Sequence, residues 1–484
     1  MNFINDILDL FIYDMKDKQE KETFGEVEVN VICNELHLPT YEEFKSVIKQ
    51  INKRDRFSIE IFSDEYSVAY FIEEDDAEEF INNIQESIES GEDFKYNFKL
   101  KIIKNIDSSN NISIYLLSEF INYLNNSNLC GILFDLGKLS NNKSLYLRLQ
   151  NDKFSFHTST IYFLDEGKRL RDVNIRYVDK YTKINKRDMS CSFLNASEYK
   201  FCPEDFYLIK RSDNTVFNST FDKLCILFSL IYICNISNIK NKNHVKYTLN
   251  GYKFIEDNID FKSIDTDIML DYYNIYKWVY SEENIEDKIG IARNIISLDI
   301  ENNKLCSISN NVFNSIKSAH SIYLKENVEK YIEVKNKVTE FLFDMSQKSS
   351  ELVEGLGKSF KNNIIAFVTY FFTIIIMNCL DSNKLNNIFT KDIVIISFVF
   401  LVLSCIYMWF SLKEVYEEKQ RFKDLYIRLK ISYKDVLNKN DIDNIFQNDK
   451  YINEDLQFID RKIKRYKKSW CICLLIIALG IIVG

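Results

Sequence analysis

Residues 364–380 read IIAFVTYFFTIIIMNCL and residues 393–412 read IVIISFVFLVLSCIYMWFSL, and neither stretch holds a charged side chain. A helix needs about 20 apolar residues to cross about 30 Å of hydrocarbon, with about 17 as the lower limit. Both stretches meet that limit, so the sequence predicts two membrane spans. The alternative, a pair of helices buried in a soluble core, is a poorer fit to uncharged runs of this length. The 12 residues between them form a short loop, which makes the pair an antiparallel hairpin. Residues 470–484 (WCICLLIIALGIIVG) read as a third span of marginal length, equally suited to a half-inserted or tilted helix packed on the hairpin.

Basic residues orient these segments. Lys358 and Lys361 precede the first run, and Lys413, Lys419, Arg421 and Lys423 follow the second. Arg461, Lys462, Lys464, Arg465, Lys467 and Lys468 precede the third, whereas the short loop offers only Lys384 and Lys391 against Asp381 and Asp392. The positive-inside bias places the N-terminal region and residues 413–468 in the cytoplasm of a multi-pass protein of the cell membrane. The six-charge cluster is a topology determinant that also suits anionic headgroups.

Working outward, residues 413–468 carry apolar residues at helical spacing on either side of Asn440, Asp441 and Asp443, which predicts a helical hairpin returning to the membrane. Upstream, residues 311–363 form a long helical stalk. Val328, Ile332, Val338, Leu342, Met345, Leu352 and Leu356 recur at three- and four-residue steps, with a break expected near Gly355 and Gly357. A helix of about 50 residues would run about 75 Å. The stalk either packs on the 413–468 hairpin of its own chain or pairs with a second copy.

Residues 1–260 read as a mixed α/β module and 261–310 as a helical one, so the expected fold class is α+β followed by an all-α region. Residues 57–73 alternate as a hairpin, and 95–104 and 145–163 as strands, the last with a turn at Asn151-Asp152. Residues 76–89, 111–125 and 267–298 read as helical. The apolar run 224–233 is half a span long and reads as a buried strand or helix. Residues 1–18 read as an amphipathic helix and not a signal peptide, because Asp6, Asp9 and Asp14 interrupt them with no basic start.

Of 484 residues only 2 are Pro and 11 Gly, which argues against flexible linkers, and a length of this order allows two to four domains. A formal charge of −9 argues against wrapping duplex nucleic acid over the whole surface. The 11 Cys include no C-x-x-C pair and read as free thiols in a reducing compartment.

Chemistry is sparse. Gly355-Leu-Gly-Lys-Ser359 ends like a phosphate loop, but Leu352 stands where the first Gly belongs, and a helix precedes it. The four His are scattered, no dinucleotide fingerprint occurs, and no cofactor is expected. Carboxylates with a lysine can hold Mg²⁺ for nuclease chemistry, which makes Asp135 with Lys138, and Asp165 and Glu166 with Lys168, the acidic candidates. The run at 73–79 reads as a solvated face, and Glu204-Asp205 and Asp265 with Asp267 are further acidic groups of the same kind. Arg293, set among isoleucines, predicts a buried ion pair with a carboxylate, or an anion contact.

The layout of soluble part, stalk (311–362) and spans (364–380, 393–412, 470–484) resembles the membrane effectors of bacterial anti-phage defence. That resemblance implies a cytoplasmic sensor that meets a trigger and a membrane part that disturbs the envelope, and the leading expectation is a non-enzymatic effector acting through oligomerisation or conformational change. The alternatives are a membrane-tethered nuclease, and a scaffold that recruits a protein partner.

Overall fold

The computed structural model describes every residue except 1–2, 64–65, 73–76, 90–94, 141–142, 152–153, 168–178, 282–283, 383–389, 434–438 and 484. The chain divides into two compact units, Met1–Ile322 and Tyr323–Gly484. The first is α/β with three sheets, and the second is helical.

Alternation in three of its strands builds the first sheet. Strands β1 (Met15–Glu22), β2 (Glu26–Cys33), β3 (Arg56–Ser63), β4 (Tyr66–Phe71) and β5 (Tyr96–Ile103) pair antiparallel in the order β1-β2-β5-β3-β4. Val27, Val29 and Val31 of β2 and Phe98, Leu100 and Ile102 of β5 point to one face and are fully or almost fully buried. Helices α1 (Phe3–Phe11), α2 (Tyr41–Ile48) and α3 (Ala77–Glu89) cover that face. Their rings meet as Phe11, Phe44 and Phe80, with centroids 5.2–5.7 Å apart. Thr40 and Glu43 form a capping box that starts α2.

The second sheet, β6 (Asn111–Ile114), β7 (Leu145–Leu149), β8 (Phe156–His157) and β9 (Ile161–Asp165), runs in the order β6-β7-β9-β8. β6, β7 and β9 are parallel, which requires the crossover supplied by α4 (Leu117–Asn126) and α5 (Leu129–Ser140). Two sequence expectations change here. Residues 111–125 are not one helix, because 111–114 are a strand buried on both faces. Residues 145–163 are not one hairpin, because β7 and β9 run parallel. Asp152 of the expected turn lies outside the described residues.

The third sheet joins β10 (Ser192–Phe193), β11 (Ile236–Ile239), β12 (His244–Asn250) and β13 (Phe254–Asp260). Around it lie α6 (Lys180–Ser190), α7 (Thr215–Ile233), α8 (Met269–Val279) and α9 (Ile285–Asp299). The 224–233 run is the buried C-terminal half of α7. Ile255, Ile259, Phe261, Ile264, Tyr272 and Tyr276 share one buried cluster, so packing continues across position 260, where the composition turns helical.

In the second unit, α10 (Val312–Ser382), which begins in the first unit, packs against α11 (Lys391–Ser432) and α13 (Lys450–Val483). The stalk therefore packs on its own chain through Val338, Met345, Val353 and Leu356. α10 does not break at Gly355 or Gly357. A Cβ at Gly357 would sit 2.9 Å from the Tyr466 hydroxyl, so this glycine admits a close helix approach. The chain reverses later than the sequence suggests. Asn440, Asp441 and Asp443 belong to the short α12 (Lys439–Ile445), and the turn is made by Gln447, Asn448 and Asp449, all at positive φ.

Gly251 is a second place where only hydrogen fits. A Cβ there would meet the carbonyl oxygen of Arg293 at 2.3 Å, and backbone on both sides leaves little room to yield. Gly251→Ala should lower the stability of the first unit by about 1–3 kcal/mol, the range for overpacking a tight contact. Denaturant unfolding followed by aromatic circular dichroism will measure it, and an unchanged midpoint would mean that the loop moves freely.

Candidate functional site

Most of the polar groups singled out from sequence are engaged in holding the first unit together. Asp135 on α5 accepts the Tyr123 hydroxyl at 2.6 Å, and burial together with this carboxylate pushes the Tyr123 phenol up to about 12. At the end of β9, Asp165 accepts the Gly167 amide at 2.9 Å. Glu166 accepts the side-chain amides of Asn52 and Gln150, both at 2.9 Å. Lys168 and residues 73–76 lie outside the described residues. Among the described residues no group of three or more His, Cys, Asp and Glu stands ready to hold a metal ion.

Arg293 is buried as expected, but among the described residues its partners are not carboxylates. Nε donates to the Ile233 carbonyl at 2.8 Å, and a terminal nitrogen donates to the Ser190 carbonyl at 2.9 Å and reaches the Cys191 sulfur at 3.4 Å. Ser190 and Ile233 are the last residues of α6 and α7. One guanidinium thus caps two helix C-termini, where unpaired carbonyls and the helix dipoles concentrate negative potential. That explains how the charge is tolerated, and it leaves the anion reading without support.

Glu204 and Asp205 face the helix α6, whose Lys180, Lys183 and Arg187 recur at helical spacing. Asp205 takes the Lys180 ammonium at 2.9 Å and the Thr160 hydroxyl at 2.6 Å, while Glu204 takes Lys183 and the Tyr276 hydroxyl. Burial opposes the charge on Lys180, yet Asp205 outweighs it and raises the lysine above its ordinary value. Burial pushes the thiols of Cys202, Cys225 and Cys234 upward, so they are poor nucleophiles. Nothing in the sequence distinguishes these lysines from solvated ones.

The second unit is organised differently. Three helices of the described residues are long and apolar enough to cross a membrane: Thr215–Ile233, Val312–Leu380 and Lys391–Ser432. Of the most apolar stretch in the first, 78% is buried within the first unit, so α7 is a core helix. The corresponding figures for α10 and α11 are 6% and 11%. Residues 470–483 continue α13 as a helix but do not join these three. At about 1.5 Å per residue their rise is about 20 Å, short of the roughly 30 Å hydrocarbon layer.

On α11 the usual arrangement is inverted. Ser397, Ser404 and Ser411, seven residues apart, are buried against the neighbouring helices, while Ile395, Phe398, Val402 and Phe410 face outward. On α10 and α13 large apolar side chains are also uncovered, with Phe372, Met377, Leu475 and Leu479 exposed by more than 60%, while Phe367, Trp470 and Leu474 turn inward. One amide ties the three helices together. The Asn363 oxygen of α10 accepts the Ser404 hydroxyl of α11 at 2.7 Å and the Trp470 indole N–H of α13 at 3.1 Å. One or two turns away, the Tyr370 and Ser397 hydroxyls lie 3.0 Å apart.

Charges lie outside this apolar block. Lys419 pairs with Asp460 at 2.6 Å between α11 and α13, and Asp449 accepts both Lys430 at 2.7 Å and the Tyr426 hydroxyl at 2.6 Å. Burial works against the Asp449 charge, but these two donors outweigh it and hold the carboxyl below its ordinary value. Of the basic cluster, Arg461, Lys464, Arg465, Lys467 and Lys468 are exposed, and Lys462 lies over the Phe458 ring.

No family model, no curated protein and no solved structure matches this chain.

Asn363→Leu removes an acceptor used by two helices, and Trp470→Phe removes one donor. Hydrogen bonds of this kind in apolar surroundings are worth about 0.6–2 kcal/mol each. The expected order of thermal unfolding midpoints in detergent is wild type, then Trp470→Phe, then Asn363→Leu. A wild-type midpoint in Asn363→Leu would show that the junction carries no load.

Because the Asp449 carboxyl is held low, its stabilising contribution is present above the unfolded value of about 4 and disappears as pH falls through the folded value. Asp449→Asn should therefore reduce stability at neutral pH and flatten the loss on acidification, read from midpoints between pH 7 and 3.

Proposed function

We propose that this chain is a membrane-anchored effector or signalling protein, in which the α/β unit senses a cytoplasmic condition and the helical unit acts in the bilayer. The observation that carries this reading is the uncovered apolar surface of α10 and α11, together with the inverted packing of α11. Water-soluble helices bury large apolar residues and expose small polar ones, whereas helices in lipid pack through small residues and hydroxyls. On α11 serines face inward and Ile, Phe and Val face outward. Each outward Ile, Leu, Phe or Val contributes about 0.3–0.6 kcal/mol to insertion. The basic residues of 461–468, with Lys358, Lys361 and Lys413, support a cytoplasmic placement of the first unit.

The layout further supports an effector that disturbs the envelope, in the manner of anti-phage defence. A unit of three helices closed on Asn363 does not enclose a pore, so leakage would need several copies. α10 contributes Val312 and Ile316 to the first unit's core and Val338 onward to the second, so one helix belongs to both.

Two measurements test this in order. The full chain should float with vesicles and resist an alkaline wash, and a chain that pellets without lipid removes the membrane reading. Full-length protein expressed during phage challenge should then collapse the membrane potential, reported by a voltage-sensitive dye. A potential that holds in every infection that the cells survive would leave an anchor without an effector role.

A further inference from the structure

Between α11 and α13, beside the basic cluster, lies a groove of about 470 Å³. Trp409, Lys413, Tyr416, Glu417, Gln420 and Lys467 line it. Trp409 and Tyr416 are at least half exposed. The Lys413 ammonium stands 5.6 Å from the Trp409 ring centroid. Its only ion pair among the described residues is with Glu417, one helical turn on, at 3.9 Å. Lys467 is exposed and has no ion pair among the described residues. The groove opens where the uncharged run of α11 ends at Leu412 and the charged part of α13 meets Trp470.

These features converge on one chemistry. An indole and a phenol at the edge of an apolar run suit the headgroup level of a bilayer, where amphipathic rings collect. Two ammonium groups against one carboxylate leave a net positive groove, and lysine stems reach along apolar surface to present their charge at that level. We infer that this groove binds the phosphate of one anionic phospholipid, with Lys413 and Lys467 on the phosphate oxygens and the acyl chains running along the exposed apolar face of α11. Gln420 is about two turns further out than Lys413 on α11, beside the headgroup substituent. The occupant is a lipid and not a free phosphate, because Trp409 and the outward residues beyond it supply an apolar continuation that a soluble anion would not use.

The inference rests on the membrane reading above, and flotation of the full chain separates the two. A chain that does not float sinks both, whereas a floating chain without headgroup preference sinks this one alone. The test uses the full chain in neutral detergent, titrated with phosphatidylglycerol, phosphatidylcholine or glycerol phosphate, and reads the thermal unfolding midpoint. Phosphatidylglycerol should bind about tenfold more tightly than phosphatidylcholine, the order that two lysines at an anionic surface supply. Lys413→Gln with Lys467→Gln should bring that preference within about twofold while leaving the lipid-free midpoint unchanged. Lys358→Gln, on α10 and paired with Glu354, should keep the preference. Equal stabilisation by both lipids, a preference that survives the double substitution, or an equal effect of glycerol phosphate would each overturn the proposal. If the double substitution lowers the lipid-free midpoint, Lys467→Gln alone replaces it and should still cut the preference severalfold.

Discussion

Two uncharged helical runs with too little protein around them to cover their side chains set the terms for the second unit. Such surface is costly in water, at about 25 cal/mol for each Å² of apolar area left exposed. The helices meet through a buried apolar cluster that includes Leu356, Phe367, Val415, Ile463 and Trp470, and through serines, a glycine and one amide. Asn363 matters because its oxygen accepts two donors from two other helices at once. In surroundings without water an unpaired amide would cost several kcal/mol, so the amide specifies which helices meet and at which level. The nearby close approach of Gly357 and Tyr466 follows the same logic of short helix separation.

The first unit solves the opposite problem. It buries charged groups within protein and holds several of them locally, by an opposite charge or by carbonyls at helix ends. Glu22 and Lys104, neither exposed, pair at 2.7 Å, and Glu22 also accepts the Tyr115 amide at 3.1 Å. The carboxylate thereby links β1 to the start of α4. Burial lowers the Lys104 ammonium against the pull of Glu22. Breaking such a pair from one side costs about 3–5 kcal/mol. Arg293 and the Glu204–Asp205 pair work in the same way, each holding together elements distant in sequence. The acid-rich composition therefore feeds architecture at these positions.

The alternation of β3 and β5, the helical rhythm of α3, α8 and α9, and the uncharged runs of α10 and α11 are all legible in the sequence, since each depends on periodicity or length. Residues 111–114 are not, because a strand buried on both faces lacks alternation and merges with the helix that follows. Arg293 illustrates a different limit. Its burial follows from the isoleucines around it, but a pair of helix ends leaves no sequence signature as an acceptor, and a carboxylate is the expected partner by default. Asn363 carried only a faint signal, as an amide at the edge of an uncharged run.

Run length, absence of charge and periodicity along the chain determined from sequence alone that the C-terminal part holds helices apolar enough to cross a bilayer. Those properties are one-dimensional and survive in any fold. Only the tertiary structure decided which apolar helix is core and which is uncovered, because α7 and α11 differ in what surrounds them more than in what they contain. It also decided that the stalk packs on its own chain, and that serines face in while isoleucines face out. Those outcomes depend on which surfaces meet, and on partners 27 to 107 residues apart along the chain.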